Sequence, residues 1–107
     1  MFSKEILIEI YRRMVRIRKF EEKAIELNSK GLIGGSIHLY IGEEAIAATI
    51  GTMLKKDDYV SSTHRGHGHI IGKGARSDLA LAELLGKSTG YCKGRGGSMH
   101  IADFDNG

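Results

Sequence analysis

Residues 3–30 contain neither glycine nor proline, whereas all fifteen glycines fall between Gly31 and Gly107. Glycine weakens helix interiors, so this asymmetry assigns one long helix to the start of the chain and short elements divided by turns to the rest. From Ser3 to about Lys30 the apolar residues Ile6, Ile10, Met14, Ile17, Ala24 and Leu27 recur at spacings of three, four and seven, the period of an amphipathic helix. Ser3 is the expected N-cap, and Gly31 with Gly34 and Gly35 the expected stop. Arg12, Arg13, Arg16, Arg18, Lys19 and Lys23 are intermixed with Glu21 and Glu22 and read as a solvated face carrying local ion pairs.

Gly42 to Leu54 repeats the helical pattern with many alanines, and Glu43 and Glu44 are expected in its first turn, where the helix dipole favours negative charge. Lys55 to Asp58 is a polar turn, and Tyr59 to Thr63 a short β-prone run expected to be a strand. A sharp turn follows at His64 to Gly68, then a short helix or turn to Gly74. The next helix is expected over about Asp78 to Leu85, capped by Ser77 and ended by Gly86. Beyond Gly86 the periodicity dissolves into a glycine-rich loop or tail, and Asp103 to Gly107 has turn chemistry.

A chain of 107 residues has room for one compact core. Its net charge of +3 points to solubility or an anionic ligand and argues against a dedicated nucleic-acid surface. Cys92 is the only cysteine, which excludes an intrachain disulfide and suits a reducing compartment. The first ten residues interleave charge with apolar side chains, unlike a signal peptide, and no run approaches the roughly 20 apolar residues of a membrane span. The expected setting is cytoplasmic, with no membrane and no nucleic acid.

The segment Thr63-His64-Arg65-Gly66 is the first candidate for chemistry. A strand that runs into a helix start gathers free backbone N–H groups, and Arg65 beside them supplies a planar, two-point donor for phosphate oxygens. The alternative is a plain glycine turn with an exposed arginine, since neither the dinucleotide pattern nor a P-loop is present. His64, His67 and His69 lie close together, yet no carboxylate or second thiolate completes a ligand set, so no metal is expected on them. His38 stands apart in Ser36-Ile37-His38-Leu39-Tyr40, either as a reactive imidazole or as a buried one bonded to backbone. Lys93-Gly94-Arg95-Gly96-Gly97 lacks the aromatic residues of a nucleic-acid platform, and Cys92 is expected to be an ordinary thiol.

Three blocks then stand out together: Ile37-His38-Leu39-Tyr40-Ile41-Gly42-Glu43-Glu44-Ala45, Ser62-Thr63-His64-Arg65-Gly66-His67-Gly68 and Gly94-Arg95-Gly96-Gly97-Ser98-Met99-His100. In order and spacing they resemble the alpha subunits of the thiamine-diphosphate-dependent dehydrogenase component of pyruvate, branched-chain and acetoin dehydrogenase complexes. The similarity runs from about Tyr11 to Gly107 and is nearest to the acetoin and bacterial pyruvate types, because His64 precedes Arg65 where other members often carry Tyr-Arg. Glu43 stands where many relatives have Gln.

The resemblance implies an α/β fold, a parallel sheet flanked by helices that binds thiamine diphosphate, of which residues 1–107 are a helix-rich N-terminal segment of a single domain, incomplete at the C-terminus. It implies decarboxylation of a 2-oxo acid such as pyruvate, or cleavage of acetoin, with acyl transfer to a lipoyl arm. The implied partners are a beta subunit, in a heterotetramer, and a lipoyl-bearing acyltransferase. Carried over by position, His64 and Arg65 are cofactor-binding residues, and His38 and His64 are catalytic. The ligands of the magnesium that bridges the diphosphate are expected beyond residue 107, so this stretch alone is expected to be inactive. The competing expectations are a small basic module for phosphate or nucleic acid built on Arg65, Lys93 and Arg95, and an inert piece of a subunit interface.

Overall fold

The computed structural model describes all 107 residues as four α-helices and one 3-10 turn. Helix α1 spans Lys4–Ser29, α2 Glu44–Met53, α3 His67–Lys73 and α4 Ser77–Leu84, with the 3-10 turn at Phe104–Asn106. α1 carries the molecule's length, and the principal extents are 44 × 26 × 21 Å. Ser3 caps it as expected, its Oγ accepting the Ile6 N–H at 3.3 Å, and Gly31 closes it at φ 71°.

The expected stripe of α1 is the buried one. Ile10, Ile17, Phe20 and Ala24 meet Ala47 and Ala48 of α2, Ile71 of α3, and Ala80 and Leu84 of α4 in one core. Ile6, Met14 and Leu27 extend the contact as partly buried neighbours. The charged face departs from expectation, because Glu21 is completely buried rather than solvated. Position 21 falls on the same stripe, between Ile17 and Ala24, which is the sequence signal that separates it from Glu22.

α2 and α3 cross with their backbones almost touching. A Cβ on Gly51 would lie 2.0 Å from the Gly72 carbonyl oxygen, so this crossing admits only glycine. Both carbonyls lie in the last turns of their helices, where no intrahelical donor reaches them. Arg13 serves the two at once, with Nη1 donating to Gly51 O at 2.9 Å and to Gly72 O at 2.6 Å. A second arginine of α1, Arg18, pairs with Glu44, whose other oxygen accepts the Gly42 N–H at 2.8 Å.

Three local expectations are corrected. Tyr59–Thr63 forms no strand, because residues 1–107 give it a single backbone bond, Val60 N–H to Gly107 O at 2.8 Å, and no partner strand. Glu43 occupies the N-cap of α2 and only Glu44 its first turn. Arg76 rather than Ser77 occupies the N-cap of α4: the chain at Arg76 is extended, its N–H donates to the Tyr91 hydroxyl at 2.7 Å, and Ser77 is already helical. Helices, turns and extended segments make up this stretch, and no sheet forms within it.

Candidate functional site

The three histidines of residues 64–69 go to three separate environments. His64 is exposed and meets the ring of His38 edge to face, with centroids 4.9 Å apart and planes at 85°. His67 opens α3 and is fully buried. His69, two residues further into the helix, bonds Tyr40 Oη at 3.1 Å through Nε2 and Ser62 Oγ through Nδ1. Burial holds the His69 imidazole below its ordinary value of 6.5. No three His, Cys, Asp or Glu side chains come together as a metal-holding group.

Arg65 turns towards the segment that carries His38. Its Nη1 donates to Leu39 O at 2.7 Å, and its N–H is taken by Thr63 Oγ1 at 3.3 Å. One guanidinium donor is thereby committed and the rest of the fork faces solvent. Half-buried His38 and the exposed His64 and Arg65, distant in sequence, thus form one group of two imidazoles and a guanidinium. A guanidinium beside two imidazoles offers hydrogen-bond donors and positive charge to a polyanion. A cleft of about 240 Å³ is lined by residues of Tyr59–Thr63, by His69, Ile70 and Lys73 of α3 and by residues of Met99–Gly107, and none of His38, His64 and Arg65 lines it.

The glycine-rich loop after Gly86 is ordered around a residue that carried no signal of its own. Glu83, in the last turn of α4, is fully buried and points its carboxylate into the loop. Oε1 accepts the N–H groups of Cys92 at 2.6 Å and Gly94 at 2.9 Å, and Oε2 those of Gly96 at 2.8 Å and Gly97 at 3.0 Å. Gly94 and Gly97 have φ of 77° and 63°, the backbone that curls the amides towards one point. Burial works against this carboxylate, but the four backbone donors outweigh it and hold its pKa below the ordinary 4.5. The loop is an anion nest whose anion is Glu83, so these four amides are not available to a ligand. Cys92 remains a free thiol, its Sγ lying 3.5 Å from His100 O.

A second buried carboxylate reaches the candidate site. Glu21 Oε1 lies 2.7 Å from His67 Nδ1, His67 Nε2 lies 2.8 Å from Ser98 Oγ, and Ser98 Oγ accepts the His38 N–H at 3.0 Å. The sequence placed Glu21 at the surface, His67 among residues that shape the site, and Ser98 in the glycine-rich block without a direct contact. The stripe register was the one signal for Glu21, and Ser98 offered none.

The dehydrogenase E1 component family matches residues 12–107 of this chain. The alpha subunit of acetoin:2,6-dichlorophenolindophenol oxidoreductase from Bacillus subtilis is 50% identical over 105 residues, covering 98% of this chain and 32% of the relative. The pyruvate dehydrogenase E1 component alpha subunit of Rickettsia felis is 44% identical over 104 residues, covering 97% and 32%, and that of Rhizobium meliloti 47% over 100 residues, covering 94% and 29%. The chain therefore spans about a third of the length of the curated relatives it matches. A match over nearly all of its residues, at this level of identity, means that the chain belongs to the dehydrogenase E1 component family.

Proposed function

We propose that residues 1–107 are part of the alpha subunit of a thiamine-diphosphate-dependent dehydrogenase, which decarboxylates a 2-oxo acid such as pyruvate, or cleaves acetoin, and passes the acyl group to a lipoyl arm. The observation that carries this reading is the grouping of His38, His64 and Arg65 in a chain of this family. In it, Arg65 and His64 bind the diphosphate of the cofactor, and His38 and His64 hold and move protons at the reacting centre. The residues fit that ligand: Arg65 has spare guanidinium donors directed to solvent, and its bond to Leu39 fixes the stem of its fork.

Thiamine diphosphate, held by Arg65 and His64, would supply the nucleophilic chemistry towards a substrate carbonyl. This chain contributes binding and proton transfer. The diphosphate is assigned to Arg65 and not to Gly94–Gly97, since Glu83 already takes the amides of that loop. Magnesium is assigned to residues outside this segment. The segment itself is read as the helical N-terminal part of a single domain whose parallel sheet is built by other residues.

A beta subunit and a lipoyl-bearing acyltransferase are the proposed partners. Leu7, Ile8, Tyr11 and Val15 of α1 and Ile46, Ile50 and Met53 of α2 are exposed, and apolar surface of this extent supports coverage by other protein. No helix is long and apolar enough to cross a membrane. A cytoplasmic setting goes with this reading, and the free Cys92 suits a reducing compartment.

Calorimetry tests the reading, with thiamine diphosphate and magnesium titrated into the chain mixed with its beta subunit. Binding should weaken by about tenfold or more in Arg65→Ala, the loss of a charge-assisted phosphate contact. Equal binding by both proteins removes Arg65 from the diphosphate, and no binding by the unaltered protein overturns the reading.

A further inference from the structure

Two groups in the core stand out because apolar residues of similar size would be cheaper there. Glu21 and His67 are both fully buried, and Glu21 Oε2 has no hydrogen-bond partner at all. A buried pair of this kind rarely stabilises a fold relative to a hydrophobic replacement. The rest of the cluster around α1 is apolar, and Phe20 packs its ring against the edge of His67 at 5.5 Å. The pair does, however, lie at one end of a chain of bonds whose other end is His38.

We infer that Glu21, His67 and Ser98 are positioning residues that set the place of His38, resting on the reading of His38 as an active-site imidazole. Donor and acceptor accounting gives the chain one consistent direction. The His38 N–H must donate, so Ser98 Oγ accepts it and turns its own proton to His67 Nε2. His67 therefore carries its proton on Nδ1 and donates it to Glu21 Oε1. A proton on Nε2 alone would leave Nδ1 facing the Glu21 carboxylate, two acceptors with no hydrogen between them. Glu21 thus selects the tautomer that lets His67 orient the serine hydroxyl.

Residues 33–41 contain no helix or strand, so His38 is not held by regular backbone bonding. Two bonds fix it from either side: Ser98 at its own N–H and Arg65 at the Leu39 carbonyl. The relay draws on α1, α3 and the glycine-rich loop, across sequence separations of 46, 31 and 60 residues. It makes the loop that Glu83 organises part of the site without contact between that loop's amides and a ligand.

A double-mutant cycle decides the matter, made in the complete alpha subunit assembled with its beta subunit. Ser98→Ala and the nearly isosteric Ser98→Cys, a poor hydrogen-bond partner that keeps the core filled, should each lower kcat about tenfold, the scale of a small misplacement of a reacting group. The KM for thiamine diphosphate should stay within about twofold, because Arg65 is untouched, and Ser98→Thr should restore most of kcat. In a His38→Ala background the same serine changes should have no further effect. Equal losses in both backgrounds would make the relay merely structural, and full kcat in His38→Ala or Ser98→Cys would overturn it. An unaltered complex that neither binds thiamine diphosphate nor turns over a 2-oxo acid or acetoin would instead sink the functional reading on which the relay rests.

Discussion

Helix α1 and the loop from Gly86 to Gly107 are both ordered, and they are held by opposite means. α1 buries a stripe of Ile10, Ile17, Phe20 and Ala24, and each contributes a share of a distributed apolar contact. The loop gives the core only Tyr91 and Ile101, each partly buried, and four of its amides depend on the single carboxylate of Glu83. A distributed contact yields gradually when one member is trimmed, whereas a hub fails as a unit. The difference separates elements that a pattern can announce from elements that one residue decides.

The sharpest way to break the comparison is Glu83→Gln. The amide presents two donors to N–H groups that need an acceptor, and disrupting such a buried charge network costs about 3 to 5 kcal/mol. Hydrogen exchange should show protection lost at Cys92, Gly94, Gly96 and Gly97 while the amides of α1 keep theirs. Retained protection in the loop would refute the hub. Ile17→Ala should cost somewhat less, about 2 to 4 kcal/mol in urea unfolding, and weaken all four helices together rather than one segment. A purely local loss would refute the shared core.

Ser3→Ala should cost about 1 kcal/mol by the same measurement and fray only the first turn of α1, since Oγ serves one amide there. Smallest is the pH response of His69. Its imidazole is held below the ordinary 6.5 by burial, so the unfolded chain binds more protons between the two values. The stabilisation is full above about pH 6.5 and is lost as pH falls through the depressed value. His69→Gln should flatten that part of the stability profile, and an unchanged profile would move the effect to another group.

Legibility in the sequence followed the same division. Helical period named the stripe of α1, and glycine marked its end and that of α4, because both signals are local. Tyr59–Thr63 reads as a strand in sequence but forms none, because β-propensity describes a half-buried surface and says nothing of whether a partner strand is in reach. The cap of α4 shifted by one residue because Tyr91, fifteen positions away, takes the Arg76 amide. His38, His64 and Arg65 were nominated from sequence, but through resemblance to a family; spacing alone offered a glycine turn as readily.

By itself the sequence determined the long amphipathic helix, the breaks at glycine and the family, all of which rest on short-range period or on residue order. Tertiary structure decided which charges are solvated. Glu21 and Glu22 are adjacent and chemically identical, yet one is sealed against His67 and the other pairs with Lys19 at the surface. Tertiary structure also turned Glu83 into the anion of a nest and Arg13 into a clamp on two helix ends. The physical reason is that a buried polar group is defined by partners that must satisfy it, and these partners lie beyond the reach of helical period, from 9 residues away for Glu83 to 59 for Arg13.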